Sequence, residues 1–171
     1  MTFANILLIL LLVALNGFFV AVEFAAVASR RARLDTLALA ESRALRTVHA
    51  WLEQPSARER LIAAAQLGIT VVSLALGAIG ENTFELCLEP FFQSITLPGW
   101  LAFTESAILA LPLVLSLVIV TAIHVVFGEQ VPKVAVLRSP EKLILRAAGA
   151  MSIFISTFKW FINLLDRATR G

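Results

Sequence analysis

Three long stretches of this chain carry no Asp, Glu, Lys or Arg: Thr2 to Val22, Leu61 to Gly80 and Ser106 to Gly128. Each reaches the roughly 20 residues that an α-helix needs to cross the hydrocarbon layer of a bilayer. In that layer the backbone must satisfy its own hydrogen bonds, which a helix does within one segment. The chain is 59% hydrophobic with a mean hydropathy of +0.88, and only 15% of it is charged, against about 25% in an ordinary soluble domain. The expectation is an all-α membrane protein with three transmembrane helices, at about 3–28, 61–81 and 106–128. The first has no basic n-region and outruns the apolar core of a signal peptide, so it is expected to be retained.

A fourth apolar stretch, Leu143 to Leu165, is interrupted by Arg146 and Lys159. Its polar residues, Arg146, Gly149, Ser152, Ser156, Lys159 and Asn163, recur every three or four positions, the period of an amphipathic helix. The reading is a juxtamembrane helix over about 141–168, lying along the headgroups with its basic stripe outward. A fourth span with snorkelling charges is the alternative.

Of the 14 Lys and Arg residues, Arg30, Arg31, Arg33, Arg43, Arg46, Arg58 and Arg60 lie between the first two spans, and the rest begin at Lys133. The connection from Glu81 to Glu105 has none. Because cytoplasmic segments retain Lys and Arg, this pattern predicts the amino terminus outside and the carboxyl terminus in the cytoplasm of a cell membrane. The outer connection, with Glu81, Glu85, Glu89 and Glu105, is expected to be a solvated loop in which Pro90, Pro98 and Gly99 mark turns and Trp100 anchors the interface. A net charge of +2 spread by membrane side, without a base-reading motif, excludes nucleic acid as a partner. Cys87 is the only cysteine and can form no intrachain disulfide.

Few residues can carry chemistry. Glu23 ends the first uncharged run, inside the membrane or at its inner edge, where an ionisable group either faces an aqueous cavity or pairs with Arg30 or Arg31. On the second span Gln66, Thr70, Ser73 and Gly77 share one face, suited to close helix packing or to lining a hydrated ion path. In the third, Gly128, Glu129 and Pro132 predict a helix break that frees carbonyl oxygens beside a carboxylate. Hard cations prefer such oxygens; the same residues also serve as plain helix-termination signals. His124 stands alone at ligand spacing, which argues against zinc. No nucleophile with its base, and no phosphate-cradling glycine loop, occurs, so an enzyme is not expected.

Three strings tie these features together. Leu15-Asn16-Gly17-Phe18-Phe19-Val20-Ala21-Val22-Glu23-Phe24-Ala25 is followed by Ser29-Arg30-Arg31-Ala32-Arg33-Leu34. Gln66-Leu67-Gly68-Ile69-Thr70 continues to Leu76-Gly77-Ala78-Ile79-Gly80-Glu81, and His124-Val125-Val126-Phe127-Gly128-Glu129-Gln130-Val131-Pro132-Lys133 closes the third span. In this order they resemble the transmembrane domain of the CNNM/CorC (HlyC/CorC) family over nearly the whole chain. The resemblance implies a homodimer of three-span protomers with short re-entrant helices before the second span, a cytoplasm-facing acidic cavity and a juxtamembrane belt. It implies Mg²⁺ transport, coupled to Na⁺, with a cation site at Glu23, Thr70, Ser73, Gly128 and Glu129. Where family members with a defined Mg²⁺ site are Ser-rich in the first span and carry Asn in the second, this chain has Val20, Ala21 and Val22, then Ile69 and Ser73. Fewer oxygen ligands weaken selection for a small octahedral ion. A non-transporting membrane sensor or regulator, whose polar faces only pack, is the second reading. Members continue into cytoplasmic CBS modules, absent from these residues, so the chain is expected to be part of a longer protein.

Overall fold

The computed structural model describes residues 3–37, 42–94 and 105–170, and among them every element is a helix. In chain order these are α1 (Phe3–Ala28), α2 (Arg31–Leu37), α3 (Arg43–Glu53), α4 (Pro55–Gln93), α5 (Glu105–Ile123), a π-helical segment (His124–Gln130), α6 (Val131–Val136), α7 (Pro140–Thr157) and α8 (Lys159–Arg170). Three stretches are long and apolar enough to cross a membrane: Phe3–Ala28, Pro55–Gln93 and Ile108–Val136. The chain is a multi-pass membrane protein.

α4 packs between α1 and α5, and the π segment and α6 return to α1. Close approach of α1 and α4 depends on Gly68, where an added Cβ would lie 2.5 Å from the Phe19 ring. Phe19 in turn lies against Phe154 of α7, with centroids 4.9 Å apart. At the end of the molecule that holds the basic residues, α2, α3, the start of α4 and α7 enclose Leu34, Val48, Trp51, Leu61, Ile144 and Met151, all buried. Local signals set the corners there. Ser42 caps α3 by accepting from the Leu45 amide at 3.1 Å, and Pro55 begins α4, where its missing N–H has no helical partner to lose. Arg58 Nη2 ties the corner by donating to the Leu52 carbonyl at 2.7 Å. Glu141, only 2% exposed, accepts from the Arg30 amide at 3.1 Å and so joins α7 to the α1–α2 corner.

Three expectations change. The helix of the second span does not end near residue 81: α4 has 39 residues, about 58 Å of helix, so Glu81, Glu85 and Glu89 sit on a helix and not in a loop. Pro90 lies inside that helix. It removes one backbone donor near the end of the helix, where Gln93 Nε2 still bonds Glu89 Oε1 one turn along at 2.8 Å. Pro98, Gly99 and Trp100 fall outside the described residues. The third span does not break at Gly128 or Pro132. It widens into the π segment, in which the Val131 amide bonds the Val126 carbonyl five residues back, and it stays helical to Val136. This geometry absorbs Pro132 at the first turn of α6 without a gap. The juxtamembrane helix is two helices, because Phe158 leaves helical dihedrals (φ −97°, ψ 15°) while its ring stacks on Phe154 at 4.6 Å.

Candidate functional site

The π segment brings residues of all three long helices together. Pro132 has no amide hydrogen to offer the Gly128 carbonyl four residues before it; that carbonyl instead accepts from Asn16 Nδ2 of α1 at 3.0 Å. The neighbouring Gly17 explains how α1 comes so close, since an added Cβ there would stand 2.9 Å from Pro132 Cγ. Asn16 is fully buried. With its amide nitrogen committed to a carbonyl, its Oδ1 is the acceptor for Ser73 Oγ of α4 at 3.1 Å. Ser73 Oγ also lies 3.0 Å from His124 Nε2. Because the single hydroxyl proton points to Asn16, the imidazole is the donor in that pair, which fixes the proton on Nε2. A directed chain therefore runs from His124 through Ser73 and Asn16 to the Gly128 carbonyl.

Glu129 stands beside this chain, half-buried. Its Oε1 is 3.8 Å from His124 Nε2 and its Oε2 is 3.5 Å from Lys133 Nζ. Lys133 also lies over the Phe24 ring, 5.3 Å from its centroid, a favourable placement for an ammonium group.

Of the residues named from the sequence, Ser73 and Gly128 are joined through Asn16, and Glu129 adjoins them through His124. Glu23 lies apart from this chain. Its Oε1 accepts from Gln66 Nε2 at 3.1 Å, and among the described residues neither arginine expected beside it forms an ion pair with it; Arg31 pairs with Glu53 at 3.0 Å. Thr70 is exposed on α4 and donates to the Gln66 carbonyl of its own helix at 2.9 Å. Among the described residues there is no group of three His, Cys, Asp or Glu side chains arranged to hold a metal. The oxygens gathered here are an amide, a hydroxyl, a carbonyl and one carboxylate.

Asn16 is the residue that sequence reasoning passed over. The signal was present, since a lone amide in an otherwise apolar span finds an interhelical partner or is costly to bury.

The model of the Cyclin M transmembrane N-terminal domain (CNNM) matches residues 6–171. UPF0053 protein YhdT of Bacillus subtilis is 37% identical over 165 residues, covering 93% of this chain and 33% of its own length. UPF0053 protein YhdP of the same organism is 34% identical over 170 residues, covering 99% of this chain and 36% of its own. Uncharacterized protein Rv1841c of Mycobacterium tuberculosis is 35% identical over 167 residues, with 97% and 44% covered. The chain thus spans between a third and a half of the length of these relatives. Matched over nearly its whole length, this chain belongs to the CNNM transmembrane-domain family.

Proposed function

We propose that this chain is the membrane domain of a divalent-cation transporter, with Mg²⁺ as cargo and Na⁺ as the coupling ion. The observation that carries the reading is the convergence of Asn16, Ser73, His124, Gly128 and Glu129 from three spans on one π segment. Polar groups inside a membrane are costly, and a carboxylate there marks an ion pathway more readily than a packing contact. The donor set fits a hard cation, because it is built of carboxylate, carbonyl, amide and hydroxyl oxygens. Each oxygen is at present engaged by a neighbouring group, with Lys133 and His124 beside the Glu129 carboxylate. An arriving cation would take the place of Lys133 at Glu129, and Ser73 would turn from Asn16 toward it. Glu23 and Thr70 on adjoining turns would line the approach.

The basic residues cluster on one side of the spans, which supports a cytoplasmic carboxyl terminus and an external amino terminus. Labelling of a cysteine placed at Ser94 from outside the cell, and not from the cytoplasm, is the expected result. The exposed stripe of Gln66, Thr70 and the open flank of Gly77, where nothing lies within 4 Å of an added Cβ, supports a homodimer joined along α4. Cytoplasmic CBS modules would belong to the longer protein that the relatives' lengths suggest.

The test is flux in liposomes with Mg²⁺ and Na⁺ gradients imposed in turn. Glu129→Gln is expected to keep the fold and abolish ion-dependent flux and thermal stabilisation, whereas Glu85→Gln, far along α4, should leave both unchanged. Intact responses to both ions in Glu129→Gln would favour the second reading, a non-transporting sensor or regulator. The mutual hydrogen bonding of Asn16 and Ser73, with Asn16 also on the Gly128 carbonyl, is what speaks for it.

A further inference from the structure

A cavity of about 280 Å³ opens where α7 meets α1 and α6, away from the Glu129 cluster. Its walls combine two kinds of residue. Lys142 and Arg146, one turn apart on α7, stand with the Ser139 hydroxyl on the polar side, and Phe18, Val136 and Leu143 form the apolar side. Both cations are exposed, the lining includes no carboxylate, and among the described residues neither cation pairs with an acid. The nearest acid in sequence, Glu141, is buried and committed to the Arg30 amide.

The surroundings identify the kind of molecule that fits. α6 and the residue after it present Val131, Val134 and Leu137 outward, all more than half exposed, and this strip continues the exposed apolar residues Val125, Val126 and Phe127 of the π segment. Such a face belongs against hydrocarbon. The cavity therefore lies at the border between acyl chains and headgroups, on the side of the spans that holds all the basic residues. Two unpaired cations over an apolar recess at that depth match one amphiphile: a phosphate anion carrying acyl chains.

We propose that this cavity is a binding site for an anionic phospholipid, its phosphate held by Lys142, Arg146 and Ser139 and the head of an acyl chain lying against Phe18, Val136 and Leu143. The bound lipid would span the joint between α1, α6 and α7, and so hold α6, which follows the Glu129-bearing segment, in place. The assignment does not depend on which ion, if any, the domain moves.

Native mass spectrometry of the purified protein, titrated with dioleoyl-phosphatidylglycerol or dioleoyl-phosphatidylcholine, tests it, with glycerol 3-phosphate and inorganic phosphate as competitors without chains. The first bound lipid is expected to be phosphatidylglycerol by preference. K142Q/R146Q should lower that preference roughly thirtyfold and K142Q alone roughly fivefold, at about 1 kcal/mol per cation near the headgroups. K159Q, an exposed cation on α8 outside the cavity, should keep the preference. Both substituted side chains are on the surface, and the single variant gives a reading should the double one fold poorly. Equal binding of the two lipids, an unchanged preference in both variants, or an equal loss in K159Q would overturn the site. Displacement of the lipid by either chain-free phosphate would overturn it in favour of a soluble anion.

Discussion

α1 and α5 are almost equally apolar, yet they are used in opposite ways. α1 buries eleven residues, among them Asn16, Gly17, Val20, Val22, Ala25 and Ala26. Among its described side chains, α5 turns only a narrow stripe of Pro112, Ser116 and Val120 inward and leaves Leu109, Val114, Leu117 and Val118 exposed. Hydropathy reports that both helices belong in lipid and is silent on which one the protein is built around. The difference lies in small and polar residues, since lipid tails compete equally for Leu and Val but cannot hydrogen-bond an amide or admit a close backbone contact.

Substitutions along the two helices put that contrast at risk, beginning with the largest effect. Asn16→Leu keeps the number and branching of the heavy atoms but leaves the Gly128 carbonyl without its side-chain donor and Ser73 without its acceptor. A loss of about 2–3 kcal/mol is expected, read as a lower melting temperature in detergent, and a value near zero would mean that α1 is held by shape alone. Gly68→Ala places a methyl group against the Phe19 ring and should cost about 1–3 kcal/mol. Gly77→Ala, nine residues along the same helix, meets nothing within the protomer and should stabilise it by about 0.5–1 kcal/mol through helix propensity. If the dimer packs on that face, crosslinking efficiency will drop instead. The smallest change is expected from Val118→Ala, at a position 59% exposed, within about 0.5 kcal/mol by the same thermal assay.

The spans were legible because a run without charges has few other uses, and the three motif strings marked the family. Two features of the spans were not legible. The end of α4 was obscured because Glu81, Glu85 and Glu89 look like loop residues by charge, whereas Glu is a good helix former once the helix leaves the hydrocarbon layer. The π segment was hidden for a different reason. Gly128 and Pro132 announce a disturbance in the helix, but whether it becomes a break or a widened turn depends on a partner for the Gly128 carbonyl. That partner, Asn16, lies 112 residues earlier in the chain. Of the five site residues named from sequence, Ser73, Gly128 and Glu129 meet at this segment. Glu23 and Thr70 do not, because Gln66 supplies a nearer bond to each.

A widened turn of this kind also has a meaning for inheritance. An α-helix advances about 100° per residue, and a π turn accommodates one residue more than the α-helical path needs. The stretch from His124 to Gln130 is thus equivalent to a single-codon insertion that the helix has kept. Losing one codon there would return the stretch to a regular α-helix and leave the flanking residues, Pro132 and Lys133 included, facing as they do now. What the deletion removes is the widened turn itself, on which His124, Gly128 and Glu129 are arranged, so lineages of this domain should tolerate substitutions in that stretch more readily than deletions.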